Sequence, residues 1–545
     1  MMNKVYTILI SIIIISACLF STAIQLNSKP EKEKFTTDKF IVKCRKELKI
    51  SEATGKISLI TGCGSLDRLI SKYNIREIRN IFKNNNGDRA IYEELEMNKF
   101  YIFILDKTDA AEIEKITEDF NKDENNYFSE LNYFGEAAGK SEHEENLLSQ
   151  SSIPNDEYFY KQWYLQNNGS ISPSSKRSSK IGSDVNMVKA WDVEKGSEDV
   201  IVAILDSGIR NNHPELRNRL WVNTAEIPDN GIDDDGNGYV DDVKGWDFAY
   251  DDNNTEDGFG HGTNIASVIG SESNNETGFA GINFKCRLMN CKNLSSNNNG
   301  EYVWWAESIK YAVDNGAKII NMSEGGDNNS KTLKIACEYA IKKGVMINAA
   351  MMNRGDDQDY YPAAYKEVFA VGATDTDDGR CTRFSWGGGS CWGNHISVVA
   401  PGNKIYGLDY EDLNNYDVYW SGTSQSTAIV SGIASLLLSQ NPNRTAEEIK
   451  NIITSTARDQ IGDPKEDTPG WDSYYGYGRV DAYLALTFDK VSSGNTKNEK
   501  IKEPVEDTHD ELKFEIKKTE SGRAKKVDPE DEEKNDRRAK KVDPK

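Results

Sequence analysis

Residues 200–209 read VIVAILDSGI, six apolar residues in a row followed at once by aspartate, serine and glycine. Three further apolar runs, at 318–322, 345–347 and 368–371, are likewise continuous rather than alternating. Strands that are buried on both faces have this composition, because helices cover both sides of a parallel sheet. The runs therefore predict an α/β fold, a parallel sheet with helices on both faces.

The segments between the runs carry helix signals that agree with this interpretation. Helical patterns at 301–315 and 330–343 are each followed by a glycine, the residue that most often ends a helix. Thr445 opens a third pattern with the spacing of a capping box. The alternation of strands and helices predicts one α/β domain over residues 153–487.

The regions outside this domain differ in composition. Residues 37–136 combine two strand-like runs with two helical patterns and predict a small α+β unit. Residues 137–152 are polar and predict an exposed linker of the kind that proteases cut. The tail, 488–545, is charged and repeats the stretch RAKKVDP, so we expect it to be disordered.

The first 24 residues predict a secretory signal peptide. Lys4 precedes an apolar run at 8–17, and small residues follow it. Two alternatives stay open: residues 6–24 are close to the length of an uncleaved membrane anchor, and ISAC, ending at Cys18, resembles a bacterial lipoprotein box. No other segment predicts a membrane span, so we expect a protein that is secreted or displayed at the cell surface.

The balance of charges narrows the classes of partner. The 88 Asp and Glu residues outnumber 66 Lys and Arg, giving a formal charge of −22. Nucleic-acid binding requires a basic face, so the composition argues against that function. A secretory route permits disulfides, and the loop-sized spacing between Cys381 and Cys391 predicts a bridge there. The sequence contains no CxxC pair, which argues against a structural zinc site.

Three short segments carry side chains suited to nucleophilic catalysis. Asp206 ends the first buried run, the strand end where parallel sheets place functional groups. His261 lies in GFGHGT, and Ser424 lies in SGTSQSTA at a first helical turn. A serine hydroxyl needs an imidazole to take its proton, and the imidazole needs a carboxylate to orient it. Each segment alone is compatible with an ordinary turn or cap, but together they predict a catalytic triad.

The order Asp, His, Ser and the local sequences DSG, GHGT and SGTS resemble the subtilase family of serine proteases. The resemblance extends over roughly residues 37–486 and includes PNDEYF at 154–159 and VVAPG at 398–402. It implies a seven-stranded parallel sheet of the subtilisin type and a serine endopeptidase that cleaves protein or peptide substrates through an acyl-enzyme. It also implies that residues 37–136 are a propeptide that assists folding, inhibits the enzyme and is then removed.

The same resemblance implies roles for residues around the triad. Asn353 matches the asparagine whose amide would stabilise an oxyanion together with the Ser424 backbone N–H. Ser323, Glu324 and Gly325 match the strand that pairs with the substrate.

Several residues depart from the family pattern near this site. Met351 and Met352 stand where Ala-Gly is usual, on the wall of the specificity pocket, and Glu324 replaces a bulky apolar residue. Asn264 replaces a histidine and Ala428 a proline. These departures leave two expectations: an active enzyme with a narrow pocket for small or basic residues before the cut, or a catalytically weak subtilase-like protein that binds a partner.

An acidic loop at 233–242, DDDGNGYVDD, is the strongest metal candidate. Oxygen-bearing side chains at alternating positions, with glycines for a tight turn, suit Ca²⁺. The loop is not a complete EF-hand because Lys244 stands at its twelfth position, and a merely solvated acidic turn is the alternative. The candidate ligands in the loop are Asp233, Asp235, Asn237, Asp241 and Asp242. By resemblance, Asp156, Asp251 and Thr255 match other calcium positions of the family.

Overall fold

The computed structural model describes residues 34–48, 51–52, 59–83, 87–143, 154–173 and 178–494. The predicted signal segment, most of the predicted linker and the tail beyond 494 lie outside these described residues.

The described strands are β1 (Phe35–Cys44), β2 (Ser51–Glu52), β3 (Leu59–Ile60), β4 (Glu77–Asn80), β5 (Phe100–Ile104), β6 (Asn126–Ala137), β7 (Lys140–His143), β8 (Ile201–Asp206), β9 (Gly245–Asp247), β10 (Arg287–Lys292), β11 (Gly300–Glu301), β12 (Ile319–Met322), β13 (Glu324–Gly325), β14 (Met346–Ala350), β15 (Phe369–Thr374), β16 (Ile396–Pro401), β17 (Ile405–Tyr406) and β18 (Val418–Ser421).

The described helices are α1 (Gly64–Lys72), α2 (Arg89–Glu94), α3 (Ala110–Asn121), α4 (Met187–Ala190), α5 (His261–Gly270), α6 (Tyr302–Asp314), α7 (Lys331–Lys342), α8 (Thr423–Gln440), α9 (Ala446–Thr456) and α10 (Ala482–Gly494), with short 3-10 turns at Met97–Lys99 and Phe159–Lys161. Within the described part of the chain, none of the helices is both long and apolar enough to cross a bilayer.

The buried apolar runs form a seven-stranded parallel sheet, so the predicted α/β architecture is confirmed. The strand order is β16-β15-β14-β12-β8-β10-β9, and every neighbouring pair is parallel. Side chains of β8 alternate between two cores: Ala203 and Leu205 pack with α6 and α7, whereas Val202 and Ile204 pack with α5 and α8. Helices therefore cover both faces of the sheet, and both faces are apolar.

The region before the main sheet is an antiparallel sheet packed against helices. Strand β1 pairs with β5 and β6, and β4 pairs with β5. Phe40 of β1, Leu66 of α1 and Phe120 of α3 lie in a separate buried core. The α+β pattern predicted for this stretch therefore corresponds to a region with its own hydrophobic interior.

One carboxylate of this N-terminal region holds the amino end of a helix in the main domain. Glu130 of β6 accepts hydrogen bonds from the Ser330 hydroxyl (2.9 Å), the Lys331 N–H (3.1 Å) and both the N–H and hydroxyl of Thr332 (3.1 and 2.7 Å). These donors begin α7, where backbone N–H groups lack partners within the helix and the helix dipole favours a negative charge.

Residues 137–143 are not the exposed linker that their composition predicted. Strand β6 continues to Ala137, and β7 pairs antiparallel with β18 in a three-stranded sheet. Ala137 and Ala138 are buried. The prediction is wrong because the strands that cover this segment lie more than 150 residues further along the chain, and a local composition carries no signal of them.

The predicted Cys381–Cys391 bridge is also wrong, since both residues are free thiols in the structure. The Ser390 N–H donates to the Cys381 carbonyl (2.7 Å), so Ser390 rather than Cys391 lies opposite Cys381. Successive residues of an extended chain point to opposite sides. Cys391 is turned away and donates to Asp356 Oδ1 (3.4 Å) instead.

Candidate active site

The carboxylate of Asp206 and the ring of His261 form a buried pair. Asp206 is the last residue of β8, and His261 is the first residue of α5. His261 Nδ1 lies 2.8 Å from Asp206 Oδ1 and 2.9 Å from Oδ2, while the Ser207 N–H donates to Oδ1 (2.7 Å). Both side chains are fully buried. A carboxylate on Nδ1 leaves Nε2 as the ring nitrogen that can accept a proton.

The turn before His261 is shaped by a residue that the sequence analysis missed. Asp257 accepts hydrogen bonds from the Phe259 and Gly260 N–H groups and from the Thr263 N–H (2.9, 2.8 and 2.9 Å). A Cβ on Gly262 would lie 2.1 Å from the Gly208 carbonyl oxygen, so this position must be glycine for α5 to approach the turn after β8. Asp257 stands only four residues before His261 in the sequence, and this proximity could have identified it.

Ser424 lies in the first turn of α8, and its hydroxyl does not contact the imidazole. Its Oγ donates to the carbonyl of Ser323 (2.9 Å), and His261 Nε2 is buried without a hydrogen-bond partner. The Ser424 N–H instead donates to the carbonyl of Ala138 (3.1 Å). The backbone of the chain's own residues 138 and 139 therefore occupies the space beside the serine.

The carbonyl of Ala138 points into a small polar gap next to Gly422. A Cβ at Gly422 would lie 2.3 Å from the Ala138 oxygen and 2.9 Å from Asn353 Nδ2, so only glycine leaves room for both groups. Asn353 Oδ1 accepts from the Thr423 N–H (2.9 Å), which turns its amide N–H₂ toward the gap. Donors in such a gap can stabilise negative charge on a carbonyl oxygen.

Strands on both sides hold the segment in place as an extended peptide. Before Ala138, β6 pairs with β13 on one side and with β11 on the other, and the Ala138 N–H donates to the Ser323 carbonyl (2.8 Å). After Gly139, β7 pairs with β18 over four residues. The predicted substrate strand, Ser323 to Gly325, therefore does pair with a peptide, and that peptide belongs to the same chain.

Glu324 is fully buried, although a charged residue is expected at the surface. Its Oε1 accepts from Asn293 Nδ2 (2.9 Å), whereas Glu324 Oε2 and Asn293 Oδ1 both lack partners. Burial, together with the nearby negative charge of Asp206, raises the pKa of Glu324 far above its ordinary value. Two adjacent orphan acceptors are satisfied at once if Glu324 carries a proton.

Met351 and Met352 follow directly after β14, and only one of them lines the groove beside the peptide. Both are buried, but Met352 has a backbone φ of 73°, a left-handed conformation that is rare for a side chain of this size. Both belong to the same apolar core, but Met352 also lines the groove beside Ala138 together with Asn353, Arg354 and Trp386. Of the two methionines, Met352 is the one beside the peptide.

The acidic loop gathers only part of its predicted ligand set. Asp235 and Asp242 lie with Glu226, each offering a carboxylate oxygen within 4.8 Å of the others. Glu226, which precedes the predicted loop, was missed because it is separated from the acidic run in sequence. Burial raises the pKa of Asp242.

The other predicted loop ligands have different partners. Asn237 Nδ2 donates to both Asp235 (3.1 Å) and Asp242 (3.0 Å). Asp233 accepts from backbone N–H groups at 237 and 238, and Asp241 from those at 230 and 231. Asp251 is exposed and is not part of the carboxylate group, and Thr255 accepts from Asn211 Nδ2 (3.1 Å).

Asp156 has a buried partner that the sequence analysis also missed, Glu215. Asp156 Oδ1 and Glu215 Oε2 are both buried without a hydrogen-bond partner. Burial raises the pKa of Asp156 to about 6, and burial together with the charge of Asp156 raises the pKa of Glu215 to about 7. The amide of Asn275 donates to Glu215 Oε1 (3.0 Å). Two neighbouring buried carboxylates with free oxygens suit a hard cation.

Comparisons with known proteins agree with this geometry. A family model described as the subtilase family matches residues 197–478. A thermophilic serine proteinase from Bacillus sp. (strain AK1) is 36% identical over 299 residues, covering 55% of this chain and 64% of that protein. Thermitase from Thermoactinomyces vulgaris is 34% identical over 304 residues, covering 55% of this chain and 92% of that protein.

Two further matches extend the comparison. The halolysin-like extracellular serine protease Nep of Natrialba magadii is 34% identical over 305 residues, 56% of this chain and 50% of that protein. The crystal structure of fervidolysin from Fervidobacterium pennivorans, a keratinolytic enzyme related to subtilisin, superposes with a TM-score of 0.58 at 19% identity, covering 84% of this chain and 62% of that one. The latter likeness concerns the fold.

Proposed function

The chain belongs to the subtilase family, and on that premise we propose that it is a secreted serine endopeptidase whose first substrate is its own Ala138–Gly139 bond. The observation that carries the proposal is the contact between the Ala138 carbonyl and the Ser424 N–H (3.1 Å). A carbonyl held by a backbone donor beside a serine hydroxyl is arranged for attack at its carbon.

The first half of the reaction forms an acyl-enzyme. Ser424 Oγ leaves the Ser323 carbonyl and donates its proton to His261 Nε2, while Asp206 stabilises the resulting imidazolium. The oxygen attacks the carbonyl carbon of Ala138, and the negative charge on the carbonyl oxygen is stabilised by the Ser424 N–H and the amide of Asn353. The bond to Gly139 nitrogen then breaks, and His261 returns the proton to that nitrogen.

The second half releases the N-terminal region. Water gives a proton to His261 Nε2 and attacks the ester carbon of Ala138, and the proton returns to Ser424 Oγ as the ester bond breaks. The products are a carboxylate at Ala138 and a new amino terminus at Gly139. We propose that residues up to 138 act as the propeptide and inhibitor, since Glu130 and β6 attach them to the main domain. Other peptides follow by the same steps once this region leaves.

We propose Ca²⁺ as the resident metal ion. The orphan oxygens of Asp156 and Glu215 fit such an ion, because an added cation would compensate the one oxygen of each buried carboxylate that has no donor. The group of Glu226, Asp235 and Asp242 offers a second place for one. The ion would stabilise the fold rather than take part in the reaction.

Secretion is part of the proposal because of the predicted signal segment and the extracellular relative from Natrialba magadii. Residues 153–487 are proposed as the mature catalytic domain, preceded after cleavage by the short segment from 139. The acidic net charge of −22 suits a soluble protein at the cell exterior.

The test is the fate of the full chain. Wild type should yield a fragment that begins at Gly139, identified by N-terminal sequencing, and that fragment should be labelled by a fluorophosphonate. Ser424→Ala should remain uncut and unlabelled, while Ser439→Ala, at the far end of the same helix, should behave as wild type. An uncut wild-type chain, or cutting that persists in Ser424→Ala purified in the same way, contradicts the proposal.

A further inference from the structure

The cleft is narrow around the proposed scissile bond between Ala138 and Gly139. Met352 projects toward the strand that pairs with the peptide: a Cβ built on Gly325 would lie 2.8 Å from Met352 Sδ and 3.1 Å from its Cγ. The side chain of Met352 therefore touches Gly325 across the space beside Ala138. It does so from a left-handed backbone, with φ of 73°.

We infer that this cleft selects peptides with small side chains on both sides of the cut, Ala, Gly or Ser before it and Gly after it. This inference rests on the proposed function and names its substrate class. Met352 limits the size of the side chain before the cut (P1). His261 and Gln425 limit the size of the side chain after the cut (P1′).

The limit at P1 concerns the room beside Ala138. Ala138 is 2% exposed and Met352 is 3% exposed, and both belong to one buried apolar cluster and line the same groove. A P1 side chain larger than Ala that extends toward Met352 must displace the Met352 side chain from Gly325, and forcing atoms into packed space is unfavourable. The left-handed backbone of Met352 is itself strained, and a glycine in its place would remove that strain.

The limit at P1′ follows from the contacts around Gly139. A Cβ on Gly139 would lie 3.1 Å from Gln425 Oε1, 3.2 Å from His261 Nε2 and 3.4 Å from His261 Cδ2. Two of these distances are tighter than about nine in ten real Cβ contacts, and the imidazole cannot retreat because Asp206 holds its other nitrogen. A side chain at P1′ therefore disturbs the ring that must move the proton.

Contacts of charged side chains flank Ala138 and Gly139 and hold this segment in register with the cleft. Lys140 Nζ lies 5.0 Å from the centre of the Trp386 ring, a cation–π distance. Glu136 lies 3.9 Å from Arg354 on the other side of the cut. A groove of about 210 Å³ runs between these residues. This groove is the alternative location for a long P1 side chain, which would bend away from Met352 and lie along Trp386.

The experiment uses the self-processed enzyme and quenched fluorescent peptides built on EAXGK, with X as Ala, Gly, Leu, Phe or Arg. We expect kcat/KM for Ala to exceed that for Leu, Phe and Arg at least tenfold. Met352→Gly should raise kcat/KM for Leu and Phe at least tenfold, and Met352→Ala should do so partly. Met187→Leu, a change in the core on the opposite face of the sheet, should leave the order of preference unchanged.

Preference for Phe or Arg by the wild-type enzyme overturns the inference and assigns specificity to the groove along Trp386. An enzyme that does not label with fluorophosphonate overturns the proposed function instead, so the two failures are distinguishable. A second measurement needs no folded Met352 variant: in the full chain, Ala138→Phe and Gly139→Val should each slow self-cleavage at least tenfold, and Ala138→Gly should not. Normal cleavage of Ala138→Phe also overturns the inference.

Discussion

Asp206, Asp156 and Glu215 all carry buried carboxylates, but the number of hydrogen-bond donors around them differs. Both oxygens of Asp206 lie within hydrogen-bond distance of His261, and Ser207 adds a second donor. Asp156 Oδ1 and Glu215 Oε2 have no donor at all. A buried charge with too few partners is costly. The difference therefore separates a carboxylate with donors on both oxygens from two carboxylates for which we propose a cation.

The largest effect should come from removing the charge at the fully partnered site. Asp206→Asn is expected to slow self-cleavage about 10⁴-fold, because the amide no longer fixes the imidazole tautomer or stabilises its protonated form. The rate of appearance of the Gly139 terminus measures this. Asp192→Asn, a change at an exposed aspartate, is the control, and a loss of less than tenfold at Asp206 would show that the pair is only structural.

Removal of the proposed Ca²⁺ should act on Asp156 and Glu215, each of which has one carboxylate oxygen without a donor. Chelation of the processed enzyme is expected to lower Tm by roughly 10 °C, the effect of an ion present at about a thousand times its Kd. The loss should be greater at pH 8 than at pH 5, since Asp156 and Glu215, with pKa values of about 6 and 7, must lose protons to bind the ion. Scanning calorimetry with and without chelator measures it.

A double variant assigns the ion to this pair. The variant that combines Asp156→Asn with Glu215→Gln should have the same Tm with and without chelator, because neither neutral side chain binds the ion tightly. Persistence of the full chelator effect in this variant would move the site to Glu226, Asp235 and Asp242.

Glu130 offers a third kind of carboxylate, satisfied by donors from another region of the molecule. Glu130→Gln should weaken retention of the cleaved N-terminal region about tenfold, since hydrogen bonds to a charged group contribute about 1.5–3 kcal/mol. The lag between self-cleavage and hydrolysis of added peptide measures retention and should shorten. Glu124→Gln, at an exposed position, should leave the lag unchanged; an unchanged lag in Glu130→Gln would contradict the role of this cap.

The smallest expected effect is a change in Tm at Glu324, whose side chain we expect to be uncharged in the folded protein. A raised pKa in the folded state means that the folded chain holds a proton that the unfolded chain loses, so stability falls as pH rises above about 4.5. Glu324→Gln removes this loss and supplies a donor for Asn293 Oδ1. Its Tm should exceed that of wild type by about 2–4 °C at pH 8 and match it near pH 4. A lower Tm at pH 8 would mean that Glu324 is charged.

The sequence predicted the strands and the catalytic candidates more accurately than the contacts between residues that are distant along the chain. The parallel strands and the three catalytic candidates follow from continuous apolar runs and short motifs, which are local features. Glu215 and Glu226 escaped detection because each stands apart from the aspartates it joins. The segment 137–143 was misassigned for the same reason: its polar composition is typical of a linker, while its strand partners come from distant parts of the chain.

Two site predictions needed orientation as well as proximity. Cys381 and Cys391 are close along the chain, but the register that sets Ser390 opposite Cys381 turns the second thiol away. Met351 and Met352 are adjacent in sequence, and only the left-handed backbone at 352 turns its side chain toward the peptide. Such choices depend on dihedral angles that residue type alone does not specify.

The continuous path of one chain through both halves of the cleft has a consequence for kinetic order. Because β6 and β7 belong to the same molecule as Ser424, the first cut needs no encounter between molecules. Its rate should be first order and independent of dilution, whereas every later cut depends on meeting another protein. The delay between synthesis and the first cut would then be the same in a sparse environment as in a crowded one, and only the activity that follows would respond to concentration.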